Sequence, residues 1–370
     1  MLAQRVVFGA GRIDDLPSEL DARGSRRAFL VATGSAKPVA DHLARLLGGR
    51  LVGRVHEVVQ HVPVASVEAC LARVIGADAD ALVAVGGGSA IGLGKAVAVR
   101  TGLPVFAVPT TYSGSEATPI YGVTDRHKKT ARDRRALPVG VVYDARLTLS
   151  LPRRATATSG LNAMAHAVEA LYAPGADPVT SLLAEEAIRV LARSLPVAAE
   201  APHDLPARED ALYGAYLAGS ALAMAGTALH HALCHVIGGT YGLEHGDLHA
   251  VLLPYTAAYN AAAAPDALER VAAALRTSEP GTTEAPAGLH RLARRLDAPT
   301  DLASLGLPEA ALDDVAERTA VAVGHRNPRT VDMPSLRRML GDAHAGRPPG
   351  TDLTTALRTG GDPTWATGTP

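Results

Sequence analysis

The sequence predicts an α/β domain with a mostly parallel, Rossmann-like sheet, followed by an all-α domain. Short apolar runs alternate with helical patterns in the first part of the chain, as in a parallel sheet covered by helices on both faces. After Leu151-Pro152 the strand signals stop, and long alanine- and leucine-rich segments carry an apolar stripe. We therefore predict an α/β domain over residues 1–150, a helical domain over 151–345 and a poorly ordered tail over 346–370.

The spacing of the apolar residues predicts the individual strands and helices, and glycines and prolines mark where they end. Apolar runs short enough for single strands predict six of them, at 5–8, 28–32, 51–58, 81–85, 105–108 and 139–143. Apolar residues at helical spacing predict helices, at 38–47, 66–75 and 89–100 in the first part and at 181–194 and 208–225 in the second. Proline- and glycine-bearing stretches at 202–206 and 279–286 are predicted loops.

Composition narrows the classes of function. The 370 residues are 47% hydrophobic and 20% charged, which is enough apolar material for two cores. A formal net charge of −1 gives no positive field for nucleic acid or an anionic membrane, and no apolar run approaches the roughly 18 residues of a membrane span. Two cysteines are too few for a disulfide framework. The first residues have the pattern of a strand rather than that of a signal peptide. We expect a cytoplasmic enzyme with a small-molecule substrate.

A glycine-rich turn follows the predicted strand at 81–85. Gly86, Gly87, Gly88 and Ser89 lead directly from that strand into a predicted helix. Glycines allow the backbone to approach a ligand closely, and the N–H groups at the helix start attract a phosphate. The turn therefore predicts a pyrophosphate site.

A second loop, rich in hydroxyl groups, follows the strand at 105–108 and includes Thr110, Thr111 and Ser115. A turn that caps the next helix would account for one or two of these hydroxyls but not for all of them. Ligands of open parallel sheets bind beyond the carboxyl ends of the strands, where both loops lie. We expect the two loops to hold one cofactor from two sides.

Clustered histidines mark the helical domain. His231 and His235 are four residues apart, as are Asn162 and His166, so each pair shares one helical face. His245 follows a Gly-Gly sequence at which the chain can turn back. We expect these five side chains to form the catalytic site, with His230 and His249 on other faces.

A metal site is a second interpretation of the same residues. His166, His231 and His245 with a carboxylate would form a cage for Fe(II) or Zn(II). The fourth position is Asn162, whose amide oxygen is neutral and a weaker donor. We therefore expect weakened metal binding, which leaves the histidines available to donate protons or hydrogen bonds.

The motifs resemble those of the iron-containing (group III) alcohol dehydrogenases, whose fold is dehydroquinate synthase-like, in order and spacing over nearly the whole chain. The matching stretches are Gly86-Gly87-Gly88-Ser89 with Lys95, Pro109-Thr110-Thr111, Gly114-Ser115-Glu116, His166-Ala167-Val168-Glu169-Ala170, His231 with His235, and His245-Gly246. Within that superfamily the maleylacetate reductase branch is most similar, through His61-Val62-Pro63, Ser159-Gly160-Leu161-Asn162, Asn327-Pro328-Arg329, and the replacement of two usual aspartates by Asn162 and Gly92.

This resemblance implies that NADH or NADPH reduces the conjugated C=C bond of maleylacetate to give 3-oxoadipate. The resemblance also implies that the histidines stabilise an enolate, with His235 or His245 as the proton donor. Lys128 stands where the superfamily has a lysine in the cleft and is expected beside the cofactor. A diacid needs cations, and the candidates for its carboxylates are Lys128 first, then Lys129, Arg132, Arg326 and Arg329.

Two other functions remain open, and so does the assembly. A metal-dependent alcohol or polyol dehydrogenase would have the same fold, and so would a catalytically silent nucleotide-binding homologue. An exposed strand at the edge of the sheet would permit a homodimer.

Overall fold

The two-part fold is confirmed in a computed structural model, which describes residues 4–125 and 128–350; the side chain of Lys128 and residues 351–370 of the predicted tail lie outside the described part. Within it, every strand precedes Asp144, and long helices follow from Arg153 onward. The chain therefore changes from α/β to all-α between Tyr143 and Arg153.

Six strands form one parallel sheet in the order β1-β8-β5-β4-β2-β3. Because parallel strands of one sheet share an edge, the loops after β4 and β5 emerge side by side. The strands of this sheet are β1 (Arg5–Phe8), β2 (Ala28–Ala32), β3 (Leu51–Val55), β4 (Ala81–Gly86), β5 (Val105–Pro109) and β8 (Gly140–Tyr143). They match the six predicted strands, except that β3 ends three residues early.

An antiparallel hairpin, absent from the sequence prediction, is formed by β6 (Ile120–Thr124) and β7 (Lys128–Arg132). The β7 segment, Lys-Lys-Thr-Ala-Arg, shows no alternation of apolar and polar residues. Its pattern therefore gave no strand signal. The hairpin borders the cavity described below.

Helices cover the parallel sheet, and its inner surfaces are fully buried. β2 and β4 are buried along their whole length, which explains why they read as continuous apolar runs rather than alternating ones. The helices of this part are α1 (Leu16–Asp21), α2 (Lys37–Leu47), α3 (Val64–Gly76) and α4 (Gly88–Thr101).

The helical part is built around α5, which is buried over nearly its whole circumference and packs against α6, α7 and α9. A helix buried on all sides lacks a single apolar stripe, so its pattern is weak in the sequence. The helices are α5 (Arg153–Ala170), α6 (Pro178–Glu200), α7 (Leu205–Ala225), α8 (Leu229–Tyr241), α9 (His245–Asn260), α10 (Pro265–Leu275), α11 (Ala285–Arg295), α12 (Leu312–Val323) and α13 (Met333–Ala345).

Two glycines let the hydroxyl-rich loop touch α7. Gly114 has a φ of 69°, and a Cβ atom there would lie 3.0 Å from the carbonyl oxygen of Ala215. A Cβ atom at Gly219 would overlap the carbonyl oxygen of Gly114. The backbone of the loop at Gly114 therefore contacts the backbone of α7 at Gly219, and this contact joins the two parts of the fold.

The Gly219→Ala variant is expected to lose about 1–3 kcal/mol of unfolding free energy, because the added methyl group must push α7 away from the loop. Gly341→Ala is the matched control, since it lies in α13 with nothing within 4 Å of its Cβ position. Its helix propensity predicts no loss, or a gain of up to about 1 kcal/mol. Urea denaturation of both variants measures the difference, and equal stabilities would contradict the close contact.

Among the described residues no single helix is long and apolar enough to cross a membrane; α7 and α8 pass that test of length and composition only together, bent by 101°.

Candidate active site

A cavity of about 340 Å³ lies between the loops of the α/β part and helices α5, α8 and α9. A site at such a junction is typical of enzymes whose two halves supply different groups to one ligand. Ten of the residues singled out in the sequence line this cavity: Gly87, Gly88, Ser89, Thr111, Ser115, Asn162, His166, His231, His235 and His245.

The glycine-rich turn and the hydroxyl-rich loop form one wall. The backbone N–H of Thr110 donates to the carbonyl oxygen of Gly86 at 3.0 Å, and these two residues lie behind the cavity. A Cβ atom at Gly87 would lie 3.0 Å from the side chain of Thr111. The turn leads directly into the N-terminus of α4, which carries no side-chain cap. This narrow backbone cradle fits a phosphate group.

Lys95 holds the hydroxyl-rich loop from behind. Its ammonium group donates to Ser115 Oγ at 3.3 Å, to Thr118 Oγ1 at 3.1 Å and to the carbonyl oxygen of Ile120 at 2.9 Å. Burial lowers the pKa of Lys95 to about 7. This fully buried amine therefore positions the loop.

His231 is oriented by a buried carboxylate. Its Nδ1 lies 2.5 Å from Glu169 Oε2, and Glu169 Oε1 accepts the backbone N–H of His230 at 2.8 Å. Burial opposes ionisation of Glu169, but the neighbouring His231 more than offsets it and holds the pKa of the carboxyl below its usual range. With its Nδ1–H given to Glu169, His231 has Nε2 available for a ligand.

Four polar atoms of the cavity residues are buried without a hydrogen-bond partner in the described part of the chain. They are His231 Nε2, His166 Nδ1, Asn162 Oδ1 and Ser113 Oγ. Buried polar atoms are rarely left unsatisfied in folded proteins. Their presence in one cavity indicates that a polar ligand completes the site.

A chain of hydrogen bonds runs inward from His245. Its Nε2 lies 3.0 Å from His249 Nε2, His249 Nδ1 lies 2.7 Å from His230 Nε2, and His230 Nδ1 lies 3.1 Å from Thr256 Oγ1. The Thr256 hydroxyl donates to the carbonyl oxygen of Leu252 at 3.1 Å, so it accepts from His230. Every donor along the chain then points inward, and His245 gives Nε2–H to His249.

The placement of His230 and His249 corrects the sequence analysis, which put them on unrelated faces. Four residues separate His245 from His249, so one face of α9 carries both. Burial lowers the pKa of His230 to about 3 and lowers that of His249 well below its usual range. Both rings are therefore neutral, as the directed chain requires.

We expect the free energy of unfolding to decrease as the pH is lowered below about 6.5. Burial also lowers the pKa of His166 well below its usual range, so three folded imidazoles stay neutral where their unfolded counterparts bind protons. Because the unfolded state then binds more protons, the free energy of unfolding decreases by up to about 1.4 kcal/mol per pH unit for each ring.

Urea denaturation between pH 5 and pH 8 tests this expectation. His249→Gln is expected to show a shallower pH dependence than the parent protein because one buried ring is gone. His203→Gln is the control, since His203 is exposed between α6 and α7, and its slope is expected to match the parent. A parent protein with constant stability over this range would contradict the neutral buried rings.

His235 borders the same cavity and also a second one. Its ring stacks on that of His245, with centroids 5.6 Å apart and planes inclined by 10°. The second cavity, of about 470 Å³, is lined by His235, Ile120, Thr130 and Thr227, which also line the first, and further along by Arg132, Arg318 and Arg326.

The predicted cations separate in the structure. Arg132 and Arg326 line the second cavity, whereas Lys129 and Arg329 line neither of the two. The Arg329 guanidinium instead lies over the Tyr259 ring at 4.1 Å and pairs with Asp332. The side chain of Lys128 lies outside the described part.

The sequence analysis used His61-Val62-Pro63 only for the family resemblance and did not place this segment at the cavity. Gln60, His61 and Val62 line the cavity, and Gln60 donates a hydrogen bond to Glu244 beside the start of α9. Val62 has a φ of 51°, which is a strained conformation for a β-branched residue and is found mostly at functional sites. Backbone conformation of this kind leaves no signal in a single sequence.

Comparison with known proteins agrees with this geometry. Residues 3–145 match the model for iron-containing alcohol dehydrogenase, and residues 156–343 match the C-terminal model of the Fe-containing alcohol dehydrogenase family. The chain is 47% identical over 343 residues to the maleylacetate reductase of Burkholderia cepacia, with 92% of this chain and 96% of the relative covered. It is 48% identical to maleylacetate reductase 2 of Cupriavidus pinatubonensis, with 93% and 96% covered.

A solved structure agrees as well. The maleylacetate reductase of Agrobacterium tumefaciens superposes with a TM-score of 0.88 at 44% identity, with 94% of this chain and 98% of that one covered. Fold and site together define an oxidoreductase with two parts around one cleft. The chain belongs to the iron-containing alcohol dehydrogenase family, in the branch of its maleylacetate reductase relatives.

Two of the four predicted metal ligands fit a divalent ion poorly in this chain. Asn162 supplies a neutral oxygen where a carboxylate would add charge, and His245 turns Nε2 to His249. In the described part of the chain, three ligand atoms gather within 4.8 Å at His230, Cys234 and His249 instead. There the two imidazole nitrogens are 2.7 Å apart and bonded to each other, closer than two ligands of a tetrahedral zinc ion.

Proposed function

We propose that the protein reduces the conjugated C=C bond of maleylacetate to give 3-oxoadipate, at the expense of NADH or NADPH. Relatives at 47% and 48% identity over nearly the whole chain carry the name maleylacetate reductase. The observation that carries the proposal is the hydrogen-bonded pair Glu169–His231, in which His231 lines a cavity beside the glycine-rich turn.

The cradle supports a nicotinamide nucleotide, which supplies a hydride when bound. Gly87, Gly88 and Ser89 at the start of α4 would hold its pyrophosphate, with Thr111 and Ser115 opposite. The turn after β2, at Thr33-Gly34, has no carboxylate to accept from a ribose 2′-hydroxyl or to repel a 2′-phosphate. Both nucleotides are therefore proposed as cofactors.

His231 is proposed to stabilise the enolate. As hydride reaches the alkene carbon β to the ketone, negative charge develops on the ketone oxygen. Glu169 holds Nδ1–H of His231 and favours its positive charge, so Nε2–H can donate to that oxygen. Stabilisation by a preoriented donor requires no metal, which agrees with the neutral amide at Asn162.

His245 is proposed to protonate the α carbon. Its Nε2 is occupied by the inward chain through His249, so Nδ1 is the nitrogen that gives a proton to the substrate. After that transfer His245 is neutral and still donates Nε2–H to His249, and no tautomer along the chain has to change. His235, stacked on His245, is proposed to keep the ring in place.

Oxidation of NADH and of NADPH with maleylacetate, each with and without a chelator, tests this function. We expect turnover with maleylacetate, an unchanged rate after chelator treatment, and less than one metal ion per chain. Activity that disappears with the chelator and returns with iron or zinc would indicate a metal-dependent dehydrogenase instead. No oxidation of either nucleotide with unsaturated oxo-diacids, aldehydes or ketones would indicate a silent homologue.

We also propose that the protein forms a homodimer. β1 is an edge strand of the parallel sheet, and exposed edges pair readily with another strand. Light scattering of the purified protein measures the assembly, and the mass of a single chain at high concentration would contradict it.

A further inference from the structure

We propose that the second cavity, lined by Arg132 and Arg326, binds the carboxylate of the substrate that is remote from its double bond. This inference rests on the proposed function. It adds a binding site for one end of the diacid, across His235 from the glycine-rich turn. It also identifies Arg326 as the residue that distinguishes diacids from monoacids.

The charges around this cavity support an anionic ligand. Arginine is the only charged residue type among its lining residues, all of which belong to the described part of the chain: Arg132, Arg318 and Arg326. Arg318 pairs with Asp314 at 2.7 Å. Arg132 and Arg326 form no ion pair with a described carboxylate. Two uncompensated guanidinium groups therefore face one cavity.

Arg326 keeps donors available for a carboxylate. Its guanidinium donates to the carbonyl oxygens of Ala322 and Val323 and, at 3.3 Å, to Thr227 Oγ1, all of them neutral. A guanidinium has five N–H groups, so two remain, the number that two carboxylate oxygens can accept. The bonds to α12 and Thr227 also restrict the side chain of Arg326. Little further conformational entropy is therefore lost when it binds a carboxylate.

Arg132 lies across the cavity on β7. Its guanidinium donates to the carbonyl oxygen of Ala223 at 2.6 Å, so it is tied to the end of α7. This contact leaves four N–H groups. A carboxylate between Arg132 and Arg326 would therefore be contacted from the hairpin and from the helical part at once.

The two cavities adjoin each other, so that one substrate molecule can occupy both. Ile120, Thr130, Thr227 and His235 line both. Maleylacetate carries one carboxylate on the alkene carbon that takes the hydride and the other beyond the ketone. With the alkene and ketone beside His231 and His245 in the first cavity, the far carboxylate extends past His235 toward the arginines.

A monoacid that lacks this carboxylate tests the inference. cis-4-Oxopent-2-enoate has a methyl group where maleylacetate has the carboxymethyl group, and it keeps the alkene, the ketone and the near carboxylate. We expect the parent protein to use the monoacid with a kcat/KM roughly 10- to 100-fold below that for maleylacetate, the loss typical of a charged hydrogen bond. Arg326→Ala is expected to lower kcat/KM for maleylacetate by a similar factor and for the monoacid by less than about threefold.

Two further variants complete the experiment. Arg326→Lys is expected to recover part of the preference for the diacid because it keeps the charge but loses the paired donors. Arg318→Ala is the matched control, since Arg318 lines the same cavity but is already paired with Asp314, and it is expected to keep the parental preference. Each preparation is compared on two substrates, so a partly unfolded variant does not change the ratio.

The outcomes separate the inference from the proposed function. A parent protein inactive on maleylacetate overturns both. An active parent protein that uses the monoacid equally well overturns the inference alone. So does an Arg326→Ala variant that keeps the parental ratio, or one that loses the same factor on both substrates.

Discussion

Replacement of Glu169 by glutamine is expected to lower kcat for maleylacetate by roughly 10²- to 10³-fold, the size of effect seen when a preoriented charge-stabilising group is lost. The glutamine amide would present N–H to His231 Nδ1 in place of a carboxylate oxygen. The ring then loses the anion that favours its positive charge. Binding of the nucleotide is expected to change little because Glu169 does not line the cavity.

Glu116→Gln is the matched control for this variant. Glu116 is also a fully buried glutamate, and it accepts a hydrogen bond from Tyr143 behind the hydroxyl-rich loop. Burial raises the pKa of Glu116 to about 7, so a neutral side chain costs less here than at Glu169. We expect kcat of this control to stay within about threefold of the parent. Steady-state kinetics and nucleotide titration measure both variants, and equal losses in the two would contradict the role of Glu169.

Replacement of His245 by asparagine is expected to lower kcat by roughly 10²- to 10⁴-fold, the range for loss of a general acid. His249→Asn removes the partner of His245 Nε2, together with the bond to His230, but keeps His245 itself. We expect a loss of about tenfold in kcat with little change in KM. Protonation becomes slower in this variant. Its solvent deuterium isotope effect on kcat is therefore expected to rise, which a purely structural change would not produce.

Two further variants delimit this prediction. His290→Asn removes a partly buried histidine of α11 that does not line the cavity, and it is expected to behave like the parent. His235→Asn is expected to cost less than His245→Asn because His245, not His235, is the proposed proton donor. A larger loss for His235→Asn, with His245→Asn close to the parent, would assign the proton to His235 instead.

Much of this fold could be predicted because its strands are buried on both faces. The runs that became β2 and β4 are continuously apolar and end at glycine or threonine, so their boundaries were visible. β3 ended early because Val55 is its last buried position before polar residues. The β6–β7 hairpin was hidden because its charged second strand resembles a loop.

The candidate site was predictable in its residue types but not in its connections. Spacing placed His231 and His235 on one face, but no spacing shows that α8 and α9 cross with His230 against His249. Glu169 lies three residues after His166 on α5, so a search for carboxylates one turn from a candidate histidine would have found it. Arg132 and Arg326 were among the predicted cations, but their lack of a carboxylate partner could not be predicted, because pairing depends on tertiary contacts.

The destination of the hydride tests the central claim most directly. Maleylacetate is reduced with nicotinamide nucleotide carrying deuterium at the transferred position, and the product is examined by NMR. We predict 3-oxoadipate with an intact ketone and deuterium on the methylene group next to the carboxyl carbon, β to the ketone. Deuterium on a newly formed alcohol carbon, with the double bond retained, would show that the carbonyl is reduced and would contradict the proposed function.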